Sequence, residues 1–300
     1  MSIASIRKNK KLTVSIVGSG RLGTALAKAL AVSHYEIEAL VSRKIAHARR
    51  AAALVDSATI ALAETELEGL PASKIILITT PDGEILKTAD RLASLEASPR
   101  GRTVLHTSGA LAASEVLAPL AAAGFATGSL HPLVSISEPG TGADKLRGAF
   151  YCVEGDAAAN RVARLIVKDL QGHSFHIPSN SKPLYHAAAV TASGHVTALV
   201  SIAADMLVQC GLDEKTARRI LLPLLESTVA NLSVSEPAKA LTGTFARGDL
   251  VTVRRHLLAL SNERLSEALA AYKILGRHSL ELAKRKIDEA TRKQILRELE

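Results

Sequence analysis

The chain has 300 residues, 47% of them hydrophobic and 22% charged, a balance that suits a folded soluble protein of two domains, or one large domain with an appendage. Its net charge is +8, with basic runs at Arg7 to Lys11, Arg43 to Arg50 and Lys284 to Lys293. No groove-reading motif or basic–aromatic pattern accompanies them, and the last run alternates with Glu281, Asp288 and Glu289, so a solvated helix face is expected there and no nucleic-acid partner.

Aromatic residues make up 3% with no Trp, so the cores must be built from Ala, Leu, Val and Ile. Cys152 and Cys210 lie in no CxxC or metal-ligand pattern, which points to buried structural thiols, a reducing cytoplasmic setting and no bound metal. No signal-type apolar region follows the basic N-terminus.

In chain order, Thr13 to Val17 (TVSIV) is a β-branched run, followed by GSGRLG and an alanine-rich amphipathic segment from Thr24 to Leu30. Further strands are expected at Tyr35 to Val41, Lys74 to Thr80, Thr103 to His106, Ala126 to Leu130, Phe150 to Glu154 and Ser174 to Ile177. A helix from about Ala157 to Leu170 separates the last two. Strands alternating with helical patterns require a mostly parallel, doubly wound α/β sheet.

From Ser181 onward the strands stop. Ser181 and Pro183 open a long helix that Gly211 ends; Asp213 caps the next from Glu214, and Pro223 should kink or interrupt it. Helices follow at Pro237 to Leu241, Leu250 to Ile274 and His278 to Leu299. Ala187 to Cys210 contains no Lys, Arg or Glu and is long enough to span a bilayer. Ser193, Gly194, His195 and Asp205 would be costly at membrane depth, so a buried helix of a soluble domain is expected and no membrane.

Gly18-x-Gly20-x-x-Gly23 follows a strand and opens a helix. Gly18 permits the tight turn, Gly20 lets the backbone approach a pyrophosphate, and Gly23 lets helix and strand pack closely. Ser19, Arg21 and Leu22 complete the loop, whose free amides and helix dipole hold an anion. Strand, turn, helix and second strand in register mark a dinucleotide-binding Rossmann-type domain over residues 1–180, followed by an all-helical domain over 181–300. The second strand ends on Val41-Ser42-Arg43-Lys44, where an NAD site would carry an acidic residue. The hydroxyl of Ser42 and the cation of Arg43 suit a 2′-phosphate, which favours NADP.

Ligands of an open parallel sheet bind beyond the carboxyl ends of its strands. Three segments fall there: Thr79-Thr80-Pro81-Asp82, His106-Thr107-Ser108-Gly109 and His131-Pro132-Leu133. Thr80, Pro81 and Ser108 are expected beside the cofactor, and His106 and His131 toward the substrate.

The motifs GSGRLG, HTSGAL at His106, SLHPL at Ser129, YHAAAVTASGH at Tyr185, LLPLLESTVANL at Leu221 and ALTGTFARGDLVTVRRHLLAL at Ala240 run in order along nearly the whole chain. In these the chain resembles the bacterial proteins that join a Rossmann-like domain to a domain of unknown function numbered 2520 (DUF2520). It departs from them at Ser193-Gly194-His195, where the family usually has Ser-Asn-His, and at Thr242-Gly243-Thr244, where it has Thr-Gly-Pro. More distantly the layout is similar to pyrroline-5-carboxylate reductase, ketopantoate reductase and the 6-phosphogluconate dehydrogenase group. That resemblance implies an NAD(P)-dependent oxidoreductase whose helical C-terminal domain dimerises and closes the site. Ketopantoate is the best single substrate it suggests.

A helix turns about 100° per residue, so Lys182, His186 and Ser193 share one face, while His195 lies about half a turn from His186. Either face could meet the nicotinamide crevice. Lys182, His186 and Ser193 are the catalytic candidates of the first, beside His106 and His131; a lysine at such a helix start is similar to that of the β-hydroxyacid dehydrogenases. Arg247 is either a clamp for a substrate carboxylate or a partner of Asp249 in capping the following helix. The expected function is hydride transfer from NADPH to a small carbonyl or imine bearing a carboxylate, with Lys182 or His186 supplying the proton. The alternatives are a non-catalytic NADP(H) sensor acting through a helical dimer, and a metal-dependent hydrolase using His106 and His131.

Overall fold

The computed structural model describes residues 12–95 and 99–300, so the basic run at Arg7 to Lys11 lies outside the described residues. The chain divides into two units, the first ending at Val190 and the second spanning Thr191–Glu300.

The first unit is built on one eight-stranded sheet: β1 (Thr13–Val17), β2 (Glu36–Ser42), β3 (Ile60–Ala63), β4 (Ile75–Ile78), β5 (Thr103–His106), β6 (Ala126–Pro132), β7 (Phe150–Gly155) and β8 (His173–Phe175). The spatial order is β3-β2-β1-β4-β5-β6-β7-β8. Neighbours are parallel except β6 and β7, which run antiparallel. β3 was not expected: its IALA is short, half-exposed and lacks the β-branched run that marks the others.

Helices cover both faces. α1 (Arg21–Val32), α2 (Ile45–Ala52), α6 (Pro139–Leu146) and α7 (Ala157–Asp169) join one buried cluster with Leu105, Leu130 and Val153. α3 (Asp82–Leu95), α4 (Ala113–Val116) and α5 (Ala118–Ala123) join the other with Ile76, Ile78 and Val104. These are the two faces of a doubly wound sheet, whose central strands are buried on both sides and read as unbroken apolar runs. α7 is capped by Asp156, whose carboxylate accepts the amides of Ala158 and Ala159.

Beyond β5 the second face turns polar. Side chains directly opposite one another in neighbouring strands share a face. The register therefore aligns His106, Ser129 and Glu154 in one row and His131, Cys152 and Phe175 in the next. α8 (Lys182–Ala192) lies over these rows. The unit boundary consequently falls after Val190 rather than near Asn180: most of α8 is tied to the sheet.

In the second unit, α9 (Gly194–Gln209), α10 (Glu214–Val234), α11 (Pro237–Ala240), α12 (Thr244–Arg247), α13 (Leu250–Leu260), α14 (Ser266–Leu282) and α15 (Glu289–Glu298) follow. Several sequence expectations are corrected here. The long helix is interrupted at Ser193, whose φ of −124° and ψ of −72° leave the helical region. Pro223 sits inside α10 without ending it. The expected helix Leu250 to Ile274 divides at Ser261 and Asn262, where Asn262 caps a short 3₁₀ turn. The expected helix His278 to Leu299 divides before Asp288, whose side chain accepts the amide of Thr291 and starts α15.

The apolar stretch expected to be a buried helix is mostly exposed. The run Ser179–Gln209 has the length and hydropathy of a membrane span, yet α9 buries only Ala204. The second unit gathers one buried apolar cluster, Val253, Leu280, Ile295 and Leu299, on other helices. Cys152 is buried as expected, whereas Cys210 is exposed.

Close packing of α1 on β1 depends on Gly23: a β-carbon there would fall inside the Gly18 carbonyl oxygen and the Thr79 hydroxyl. Around Gly20 nothing lies within 4 Å of such an atom. Gly23→Ala is therefore expected to lower unfolding free energy by about 1–3 kcal/mol in urea melts, the usual range for overpacking. Gly20→Ala should melt like the wild type.

Candidate active site

The glycine loop is shaped by backbone alone. Gly18 has φ +110°, and a side chain would meet the backbone of Thr79 at 2.7 Å. The amides of Gly18 and Ser19 both donate to the Val41 carbonyl at 2.9 Å, which ties the loop to the end of β2. α1 starts at Gly20 with no side-chain cap, leaving its first-turn amides for a ligand. The buried hydroxyls Ser19 Oγ and Thr80 Oγ1 have no hydrogen-bond partner among the described residues. An open approach at Gly20, uncapped amides and two orphaned donors fit a dinucleotide pyrophosphate.

The remaining expected cofactor residues separate in character. Arg21 and Pro81 are exposed, while Leu22 packs half-buried against the core. Ser42 is half-buried and Arg43 exposed at the end of β2. Ser108 Oγ accepts the amides of Ala110 and Leu111 at 3.1 Å, which orients the hydroxyl within its own loop and leaves its proton to donate.

At the carboxyl ends of β5 and β6 of the same sheet, α8 brings together Lys182, Tyr185 and His186 with His106 and His131. Lys182 is fully buried. Its ammonium donates to the Ser108 carbonyl at 3.1 Å and Ser129 Oγ at 2.8 Å, and pairs with Glu154 at 3.5 Å. Glu154 also accepts the Ala113 amide at 2.8 Å and the Ser179 hydroxyl at 3.3 Å. Three strand ends and the start of α8 thus converge on one buried ion pair. Expected to meet substrate, Lys182 in this structure turns its ammonium to protein partners. Burial pushes its pKa down, against the pull of Glu154.

Two of the histidines, His106 and His131, are neutral at neutral pH. Burial, with the Lys182 charge next, lowers the His106 pKa to about 3. Burial, followed by His186 and Lys182, lowers that of His131 to about 4. His106 Nδ1 accepts the Ser108 amide at 3.2 Å, so its neutral form carries the proton on Nε2, which has no partner among the described residues. His186 Nδ1 is likewise buried and unpartnered.

The His131 and His186 rings meet edge to face at 5.6 Å. Gly109 fits against both, since a β-carbon there would lie 2.5 Å from His186 Nδ1 and 2.8 Å from the His131 ring. His131 Nδ1 is 2.7 Å from the Tyr185 hydroxyl.

Ser193 belongs to the second unit, exposed at the break before α9, and makes no side-chain cap. Asp249 caps α13 by accepting the Thr252 amide at 3.0 Å and its hydroxyl at 2.7 Å, without an ion pair to Arg247. Sequence reasoning missed Glu154, Ser129 and Tyr185. The available signal was the polar side chains at alternate positions of otherwise apolar strands, Ser129 and His131 in β6 and Glu154 in β7.

Residues 2–132 match the family model described as a Rossmann-like domain, and residues 149–279 match the domain of unknown function DUF2520. No curated protein matches the sequence. Among solved structures, the chain is similar to protein TM1727 from Thermotoga maritima, with 23% identity and a TM-score of 0.69 over 91% of this chain and 98% of that one. A reductive aminase from Aspergillus terreus, solved with NADPH and ethyl-5-oxohexanoate, gives 16% identity and a TM-score of 0.65 over 94% and 98%. A 1-pyrroline-5-carboxylate reductase from Streptococcus pyogenes gives 16% and 0.60 over 91% and 98%.

Removing one member of a buried ion pair leaves the other unmatched. Glu154→Gln is expected to cost about 3–5 kcal/mol in urea unfolding at neutral pH. Lys182→Met together with Glu154→Gln should recover much of that loss.

Proposed function

We propose that this chain, which joins a Rossmann-like domain to a DUF2520 domain, is an NADP-dependent oxidoreductase that reduces a small carbonyl or imine. One observation carries the reading: the open glycine loop and the buried histidine cluster lie at the same, carboxyl end of one sheet. That end is where doubly wound folds bind ligands. Neighbours of the same fold include a reductive aminase solved with NADPH, a pyrroline-5-carboxylate reductase solved with NADP and an imine reductase.

Gly18, Gly20 and the first amides of α1 hold the pyrophosphate, with Ser19 and Thr80 as further donors. Ser42 and Arg43 receive the 2′-phosphate. Bound there, the reduced nicotinamide supplies hydride. The protein's part is then to orient the substrate and deliver a proton. His106 contributes a neutral Nε2–H donor, and His131, held neutral by burial, packs edge to face with His186 as a wall of the site. Lys182 and Glu154 fix this wall from beneath. A substrate carboxylate is part of this reading, and ketopantoate heads the keto acids worth trying.

The second unit acts as a dimerisation surface in a cytoplasmic homodimer. Its single small cluster is a thin core for residues 191–300. Meanwhile Leu224, Val229 and Val234 of α10 stay 65%, 58% and 81% exposed. An apolar surface of that kind marks an interface, and a second copy of the chain covers it in this proposal. Sedimentation should give twice the monomer mass at micromolar concentration, with Leu224→Glu and Val229→Glu together shifting it to monomer.

Parallel titrations of NADPH and NADH, read by nicotinamide fluorescence, test the cofactor. NADPH should bind at micromolar levels and NADH at least tenfold more weakly, with Arg43→Ala abolishing the difference. Failure of both nucleotides to bind would overturn the oxidoreductase reading.

A further inference from the structure

We propose that Tyr185 is the proton donor of the reaction and that His131 holds and recharges it, an assignment that rests on the reductase reading above. The phenol oxygen lies 2.7 Å from His131 Nδ1. The Tyr185 ring is held edge-on between His131, at 5.5 Å, and Phe175, at 5.8 Å. It is half-buried, one helical turn from the wholly enclosed Lys182.

Two other proton-bearing groups of the cluster, Lys182 and His106, are unsuited to the step. The Lys182 ammonium is committed to Ser108, Ser129 and Glu154, and its loss would strand Glu154. His106 is fully buried and neutral, and a neutral imidazole gives up its remaining proton far less readily than a phenol does. Burial raises the Tyr185 phenol above its ordinary value, which keeps it protonated through the neutral range.

The step balances as follows. Hydride from the reduced nicotinamide forms the new C–H bond, and the displaced electron pair of the C=O or C=N bond moves to the heteroatom. The Tyr185 O–H bond breaks, and its proton forms the new O–H or N–H bond. The phenolate oxygen accepts a hydrogen bond from His131 Nδ1–H. That proton then crosses to the phenolate while His131 Nε2 takes one from solvent, and exchange with solvent (a proton lost from Nε2 and one gained at Nδ1) restores the starting tautomer. One hydride and one solvent proton are consumed.

The test compares wild type, Tyr185→Phe and His131→Gln in NADPH binding, melting temperature and NADPH oxidation with ketopantoate and 1-pyrroline-5-carboxylate. Tyr185→Phe should lower kcat by about 100-fold or more, within the range for general acid catalysis, while KM and NADPH affinity stay within about twofold of wild type. His131→Gln should give a smaller loss with a displaced alkaline limb of the kcat–pH profile. Wild-type turnover with Tyr185→Phe within threefold of it would overturn the donor assignment and leave the reductase reading standing. NADPH binding without wild-type turnover of either substrate would overturn both. Should Tyr185→Phe fail to fold, 3-fluorotyrosine at position 185 keeps the shape and acidifies the phenol. The alkaline limb of kcat should then move to lower pH, and an unmoved limb would overturn the proposal.

Discussion

An ammonium taken out of water has to be met on every side by the protein, and this requirement organises the first unit around Lys182. Dehydrating it and Glu154 costs several kcal/mol per ion before their attraction is counted. Ser108, Ser129, Ala113 and Ser179 supply the remaining contacts, and each comes from a different part of the fold. Because the lysine is the first residue of α8, satisfying it also fixes where that helix lies on the sheet. Tyr185 and His186, three and four residues further on, then face His131 as a geometric consequence.

The two halves of the site solve different physical problems at one end of the sheet. Around Gly18 and Gly20, recognition depends on exposed backbone and on keeping side chains away. Around His131, side chains are crowded together, and burial holds that ring neutral. The antiparallel turn of β7 makes the second arrangement possible. It sets Glu154 opposite Ser129 and Cys152 opposite His131, beyond the parallel strands that serve the nucleotide.

Local patterns in the sequence carried much of this. GSGRLG between a β-branched strand and an alanine-rich helix announced the nucleotide loop, and a spacing of four placed Lys182 and His186 on one face. What stayed hidden were pairings between distant residues. Nothing near Lys182 signals Glu154, because strand register decides that partnership. β3 escaped because its residues lack strand propensity and gain their ladder only from β2. The break at Ser193 was marked only by the Ser193-Gly194 pair within a long apolar run, and the exposure of α9 was hidden by an apolar composition that suits a buried helix equally well. Pro223 does not interrupt α10, which continues through it.

The three contacts of Lys182 span 74, 53 and 28 residues of chain. Each closes a long loop whose entropy must be met before the contact returns anything. The loop of Ser108, the hydroxyl of Ser129 and the carboxylate of Glu154 therefore reach the lysine together or hardly at all. A newly made chain can form the glycine loop from its first strands and helix, but the histidine wall has no local precursor. It exists only once the polypeptide has been completed through α8, so the glycine loop and the histidine wall mature at different moments in the life of the molecule.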